Sequence, residues 1–221
     1  MNLTDPQQRA AAVDQVLTAA PVVPVMAIEH LEDALPLANA LIAGGLPVLE
    51  ITLRTDCALA AMTRIAAECP QAIVGAGTVL DAEQLEAVTR AGARFAISPG
   101  ATARIYAAAA AATIPLIPAV ATASELMTGL EHGHRRFKFF PAEAAGGIPM
   151  LKSFAGPFAD VRFCPTGGIT PANAPAYLAL PNVITVGGSW MVPGDAIRAK
   201  NWSRIEALAR ESAALRQPSA R

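Results

Sequence analysis

The chain has 221 residues, 53% of them hydrophobic and 16% charged, with 17 basic against 18 acidic side chains. That balance excludes a disordered chain, which needs low hydrophobicity and high net charge, and it lacks the basic excess with which proteins grip nucleic-acid backbones. Pro, Gly or charged residues interrupt every apolar stretch before the roughly 20 residues of a membrane span accumulate.

The N-terminus shows neither the basic start nor the apolar run of a secretory signal, so the cytoplasm is the expected location. Cys57, Cys69 and Cys164 are odd in number, widely spaced and not clustered in sequence with His30, His132 or His134. Neither a disulfide framework nor a metal site is expected from them.

Thr4 or Asp5 before Pro6 predicts a capped helix over residues 6–19. Eight short β-branched or apolar runs follow, at 22–28, 48–52, 73–78, 94–98, 116–119, 137–140, 162–165 and 183–186, with starts 21 to 26 positions apart. Helical patterns such as 33–43 and 83–91 fill the gaps. Strands that are apolar on both faces and alternate with helices predict a parallel sheet covered by helices. Eight such units predict an α/β chain closed into a single (β/α)8 TIM barrel over 1–221, with one extra N-terminal helix, and the length suits the roughly 200–250 residues of that fold. An open doubly wound sheet is the rival. Its dinucleotide fingerprint fails here, because Gly75-Ala76-Gly77 is followed by Leu80 where a third glycine is required.

There are three lysines, Lys138, Lys152 and Lys200. Lys152 and Lys200 sit in helical or loop sequence and read as solvated cations. Lys138 falls inside the strand-like run Phe137-Lys138-Phe139-Phe140. Alternation puts Lys138 and Phe140 on one face, toward the barrel axis, and Phe137 and Phe139 on the other, toward the helices. Lysine is almost never fully buried without a reason. A nucleophilic amine is the functional reading, since removal from water favours the neutral form, and a cross-barrel ion pair is the structural one.

In the second strand Leu49, Ile51 and Leu53 share one face, so Glu50 and Thr52 point into the barrel and Arg54 stands just past the strand end. A carboxylate close to the amine would favour its protonated form. Desolvation and Arg54 must then oppose it, or a water must separate the two groups. Thr166-Gly167-Gly168 after the seventh strand and Gly187-Gly188-Ser189 after the eighth occupy the loops in which barrels often bind phosphate through bare backbone N–H groups. Arg54 and Thr78 together could hold a carboxylate. His132 and His134 flank Gly133 beside Arg135 and Arg136, where interaction with a helix terminus accounts for them.

The segments Leu49-Glu50-Ile51-Thr52-Leu53-Arg54-Thr55, Gly75-Ala76-Gly77-Thr78-Val79, Ile97-Ser98-Pro99-Gly100, Phe137-Lys138-Phe139-Phe140-Pro141-Ala142-Glu143 and Arg162-Phe163-Cys164-Pro165-Thr166-Gly167-Gly168-Ile169 resemble the 2-keto-3-deoxy-6-phosphogluconate (KDPG) and 4-hydroxy-2-oxoglutarate aldolase family over about residues 20–195. The resemblance implies a homotrimeric class I aldolase of the Entner–Doudoroff pathway that takes a phosphorylated keto acid and uses no cofactor or metal. By position it implies Lys138 as the Schiff-base lysine and Glu50 as the general acid/base. Arg54 and Thr78 would hold the pyruvyl carboxylate, and Gly167, Gly168, Gly188 and Ser189 the phosphate. Phe140 and Thr166 complete the expected substrate-binding set. Two positions depart from the pattern: Ala145 stands where a polar residue is expected, and Ala119 where glycine is commoner. Other readings of the same residues are a galactonate-epimer aldolase, a phosphosugar isomerase or decarboxylase, and a non-catalytic phosphosugar-binding module.

Overall fold

The computed structural model describes residues 5–215. Helix α1 (Pro6–Leu17) starts where its cap predicts: Asp5 accepts from the Gln7 N–H, with Pro6 in the first turn, while Thr4 lies outside the described residues. Then come β1 (Val22–Met26), α2 (Ala34–Ala43), β2 (Val48–Thr52), α3 (Ala58–Glu68), β3 (Ile73–Gly77), α4 (Ala82–Arg90), β4 (Phe95–Ser98) and α5 (Ala103–Ala111). The second half holds β5 (Leu116–Val120), α6 (Ala123–Glu131), β6 (Arg136–Phe139), α7 (Gly147–Ala155), β7 (Arg162–Pro165), α8 (Ala174–Leu178), β8 (Val186–Gly188), α9 (Gly194–Arg198) and α10 (Trp202–Ala213). Several helices start on side-chain caps. Asp81 and Thr102 cap α4 and α5, and Thr122 with Glu125 forms a reciprocal capping box on α6.

All strand pairs are parallel, in the order β7-β6-β5-β4-β3-β2-β1-β8. Single bridges Phe163↔Val183 and Thr166↔Gly187 bring β7 back to the last strand segment, so the sheet closes into the predicted TIM-barrel-like ring. The eighth strand differs from its expected bounds of 183–186. Its early part bonds to β7, with the Ile184 N–H donating to Phe163 O at 3.0 Å. Its later part, Val186–Gly188, pairs with β1. One run thus serves two neighbours in succession, and the regular strand begins where the second pairing does.

Two apolar layers follow from strand alternation. Outward residues such as Leu49, Ile51, Val74, Phe137, Phe139 and Phe163 pack under the helices. Inward Val23, Val48, Phe95, Ile97, Ile117 and Cys164 form an inner layer, and Val13, Val16 and Leu17 of α1 join it. The extra helix therefore plugs the N-terminal end of the barrel. Arg136 bonds Asp14 at 2.5 and 2.7 Å, and Arg9 donates to His132 O at 2.8 Å, fastening α1 to β6 and the end of α6.

His132 and His134 have different roles. His132 caps the C-terminus of α6 and stacks on Tyr106 at 4.5 Å. His134 is buried, so charge at a helix terminus does not account for it. Burial first, then the cation of Arg9 and neighbouring His132, depresses its pKa from 6.5 to about 3. The unfolded chain binds a proton near pH 6.5 that the folded chain refuses until about pH 3, so stability present above pH 6.5 is lost as pH falls toward 3. The loss from this residue is expected to reach at most about 1.4 kcal/mol per pH unit. His134→Phe should flatten the acid decline of Tm across that window; an unchanged decline would show that other groups carry it.

Candidate active site

Strands β2 and β6 stand on opposite sides of the ring, so inward side chains from each meet near the axis. Lys138 and Glu50 do so: Nζ donates to Oε1 at 2.9 Å, with the two side chains 8% and 2% exposed. Of the two arrangements left open, a separating water or direct contact, the structure has direct contact, because a lysine and a glutamate are together long enough to span this barrel. Phe140, just past β6, lies half-buried with its ring centroid 5.4 Å from Nζ, a cation–π distance. Phe137 and Phe139 face the helices as alternation predicts, with Phe139 meeting the ring of Phe154 edge-on at 6.3 Å.

Room for the carboxylate comes from β3. Gly75 and Gly77 face inward, and a Cβ on Gly77 would collide with the Glu50 side chain while one on Gly75 would enter the ring of Phe95. In sequence these glycines stand as an incomplete nucleotide motif and as part of one family-like segment, with no role of their own. Their spacing of two on an inward face was the available signal that something large sits opposite.

Cys164, in register with Lys138 across β6 and β7, was also passed over. Burial, then the charge of Glu50 working against that of Lys138, pushes its thiol up to about 12, so it remains a neutral wall of the site. Ala119 is the other register partner of Lys138 and is buried. Ala145 is half-buried in the loop after β6.

Thr52 Oγ1 donates to Met26 O at 2.7 Å and accepts from Arg54 Nε at 3.0 Å, so the exposed guanidinium is aimed from a buried hydroxyl. Thr78 follows Gly77, which is in register with Thr52. Its φ of +62° is unusual for a β-branched residue and typically costs about 1–3 kcal/mol, the kind of strain that collects at functional sites.

On the other side, the Thr166↔Gly187 bridge sets the two glycine loops side by side. Gly167 and Gly168 have φ of +101° and +77°, which explains the residue type at both. Gly188 is buried, and any side chain there would strike Trp190. Ser189 is exposed and shares with Arg54 the wall of a cavity of about 230 Å³, which also includes Val25, His30, Asp33 and Arg198. Val25 is in register with Glu50, so this cavity adjoins the amine–carboxylate pair without including it. A larger groove of about 440 Å³ between α4 and α5 lies on the outer wall, away from these groups.

A buried amine in contact with a buried carboxylate inside a parallel barrel is an arrangement that a carbon–carbon lyase of the aldolase type can use, and the comparisons with known proteins give that class. The family model "KDPG and KHG aldolase" matches residues 13–208. KHG/KDPG aldolase of Escherichia coli K12 is 58% identical over 201 residues, 91% of this chain and 94% of that protein. The 2-dehydro-3-deoxy-phosphogluconate aldolase of Dickeya dadantii is 58% identical over 92% of this chain and 95% of its own length. Among solved structures, KDPG aldolase from Legionella pneumophila, with pyruvate captured at low pH as a covalent carbinolamine intermediate, is 55% identical. It superimposes with a TM-score of 0.89 over 90% of this chain and 97% of its own. This chain belongs to the KDPG and KHG aldolase family.

Proposed function

We infer that the chain is a class I aldolase that cleaves 2-dehydro-3-deoxy-6-phosphogluconate to pyruvate and glyceraldehyde 3-phosphate. The observation that carries this reading is the 2.9 Å contact between a buried amine and a buried carboxylate. Transfer of one proton along that hydrogen bond yields a neutral amine and a carboxylic acid together, the nucleophile and the acid that carbonyl addition requires. Lys138 attacks the C2 ketone, giving a carbinolamine of the kind captured in the Legionella relative. Glu50 protonates the departing hydroxyl, and water leaves. The iminium then draws electrons from the C3–C4 bond as Glu50 takes the C4 hydroxyl proton. The aldehyde leaves, the enamine is protonated at C3, and hydrolysis frees pyruvate.

Arg54 and Thr78 hold the carboxylate at the ends of β2 and β3. Phe140 packs beside the reacting carbons. Thr166, Gly167, Gly168, Gly188 and Ser189 receive the phosphate where the last two loops adjoin. The reading includes the homotrimer and the Entner–Doudoroff pathway that the family resemblance implies, together with the single barrel domain over 1–221 and the cytoplasmic location expected from the sequence. Among the described residues no helix is long and apolar enough to cross a membrane.

The test is pyruvate release, coupled to lactate dehydrogenase, from the phosphorylated gluconate-derived keto acid, its galactonate epimer and 4-hydroxy-2-oxoglutarate. The first should be cleaved fastest. The dephosphorylated keto acid should lose turnover as well as affinity, because remote binding energy orients the reacting carbons. A chain that binds these compounds yet releases no pyruvate would be a binding module or a different barrel enzyme.

A further inference from the structure

Glu143 lies in the β6–α7 loop, and the reaction above gives it nothing to do. It is nevertheless closely held. The hydroxyl of Tyr177, a fully buried ring on α8, donates to Glu143 Oε1. A Cβ on Gly168 would come within 2.6 Å of Glu143 Cγ, and one on Gly147 within 3.0 Å of the Tyr177 hydroxyl and 3.4 Å of Glu143 Oε1. Although Glu143 is an exposed residue, its side chain therefore occupies space left free by Gly168 in the loop after β7 and by Gly147 at the start of α7.

Backbone bonds join the same segments. The Ala142 N–H donates to Thr166 O at 2.8 Å, Glu143 N–H to Gly167 O at 3.1 Å, and Gly147 N–H to Ala142 O at 2.9 Å. Burial, then its bond to Glu143, raises the Tyr177 phenol above its ordinary range, which keeps it a donor. A negative charge beside a loop read as a phosphate cradle would oppose phosphate if left free. The bond to Tyr177 commits that charge to a phenol.

We propose that Glu143, held by Tyr177, is a positioning residue that locks the Thr166–Gly168 loop against the strand carrying Lys138. The proposal rests on the phosphate reading given above. The clamp sets the separation between the amine and the phosphate-binding backbone, so it acts on substrates that use both anchors and not on those that reach only the amine.

Tyr177→Phe keeps the buried ring and deletes the hydroxyl, while Glu143→Gln keeps an acceptor for it. Tyr177→Phe should raise KM for the phosphorylated keto acid about tenfold and weaken inorganic phosphate binding by a similar factor, the scale of one charge-assisted hydrogen bond, with KM for 4-hydroxy-2-oxoglutarate and the rate of borohydride trapping of pyruvate held within about twofold. Glu143→Gln should retain most of the wild-type KM. Equal losses on both substrates would mark a merely structural contact and overturn the proposal, as would unchanged KM and phosphate affinity in Tyr177→Phe. If the wild type binds phosphate but releases no pyruvate, the reaction reading fails and the phosphate titration of Tyr177→Phe still decides the clamp. A wild type that binds no phosphate overturns the phosphate reading and the clamp with it, and pyruvate release still decides the reaction.

Discussion

Treatment with pyruvate and borohydride is expected to add an irreversible mass to the wild-type chain at Lys138 and none to Lys138→Met. Reduction fixes the iminium as a secondary amine, so the label reports the covalent bond itself and does not depend on turnover. Cleavage by Lys138→Met should fall by at least about 10⁴-fold, the scale on which loss of a covalent nucleophile acts. Methionine nearly matches lysine in shape but leaves the carboxylate of Glu50, 2% exposed, without its cation. Removing one partner of such a pair costs about 3–5 kcal/mol, whereas replacing both is often neutral. The double variant Lys138→Met with Glu50→Gln should therefore regain most of the stability that Lys138→Met loses while remaining inactive. Labelling that persists in Lys138→Met would refute the assignment of the nucleophile, and normal stability in the single variant would refute the contact as an ion pair.

Glu50→Gln should slow pyruvate release by about 10²–10⁴-fold with the barrel intact. The amide oxygen can still accept a hydrogen bond from Nζ at the observed 2.9 Å position, but it cannot take up the proton that the amine, the carbinolamine hydroxyl and the C4 hydroxyl exchange in turn. Borohydride trapping should consequently persist in this variant at a reduced rate, which separates loss of proton transfer from loss of the nucleophile. Near-normal turnover would exclude Glu50 as the acid/base and leave it as the lysine's structural partner.

The residues that meet at the axis were legible because strand alternation is a local property. A cation in an apolar run and a carboxylate flanked by apolar neighbours each disclose the face they occupy within a few residues. The distance between Lys138 and Glu50 was not legible in the same way, since it depends on the width of the closed ring and on the reach of two flexible side chains. The glycines tell a similar story. Gly187 and Gly188 hid the true extent of β8, because glycine has little strand propensity, yet they are needed so that Thr166 and Trp190 fit against that strand. His134 resembled a helix-end cation in sequence because nothing nearby in the chain reveals that Tyr106, 28 positions earlier, covers it. Glu143 was quoted as part of a motif, but its meaning comes from Tyr177, a partner 34 positions later.

Helix α1, seated on Val23, Val48 and Phe95, makes the barrel a cul-de-sac. Among the described residues α1 blocks the N-terminal end, so on the proposed reaction whatever is bonded to Lys138 lies deeper than whatever rests on the two glycine loops at the rim. On the proposed reaction the phosphorylated aldehyde must depart before pyruvate can, and in the reverse direction pyruvate must arrive before the aldehyde closes the entrance behind it. Order of passage would then be imposed by architecture, with no moving part needed to enforce it.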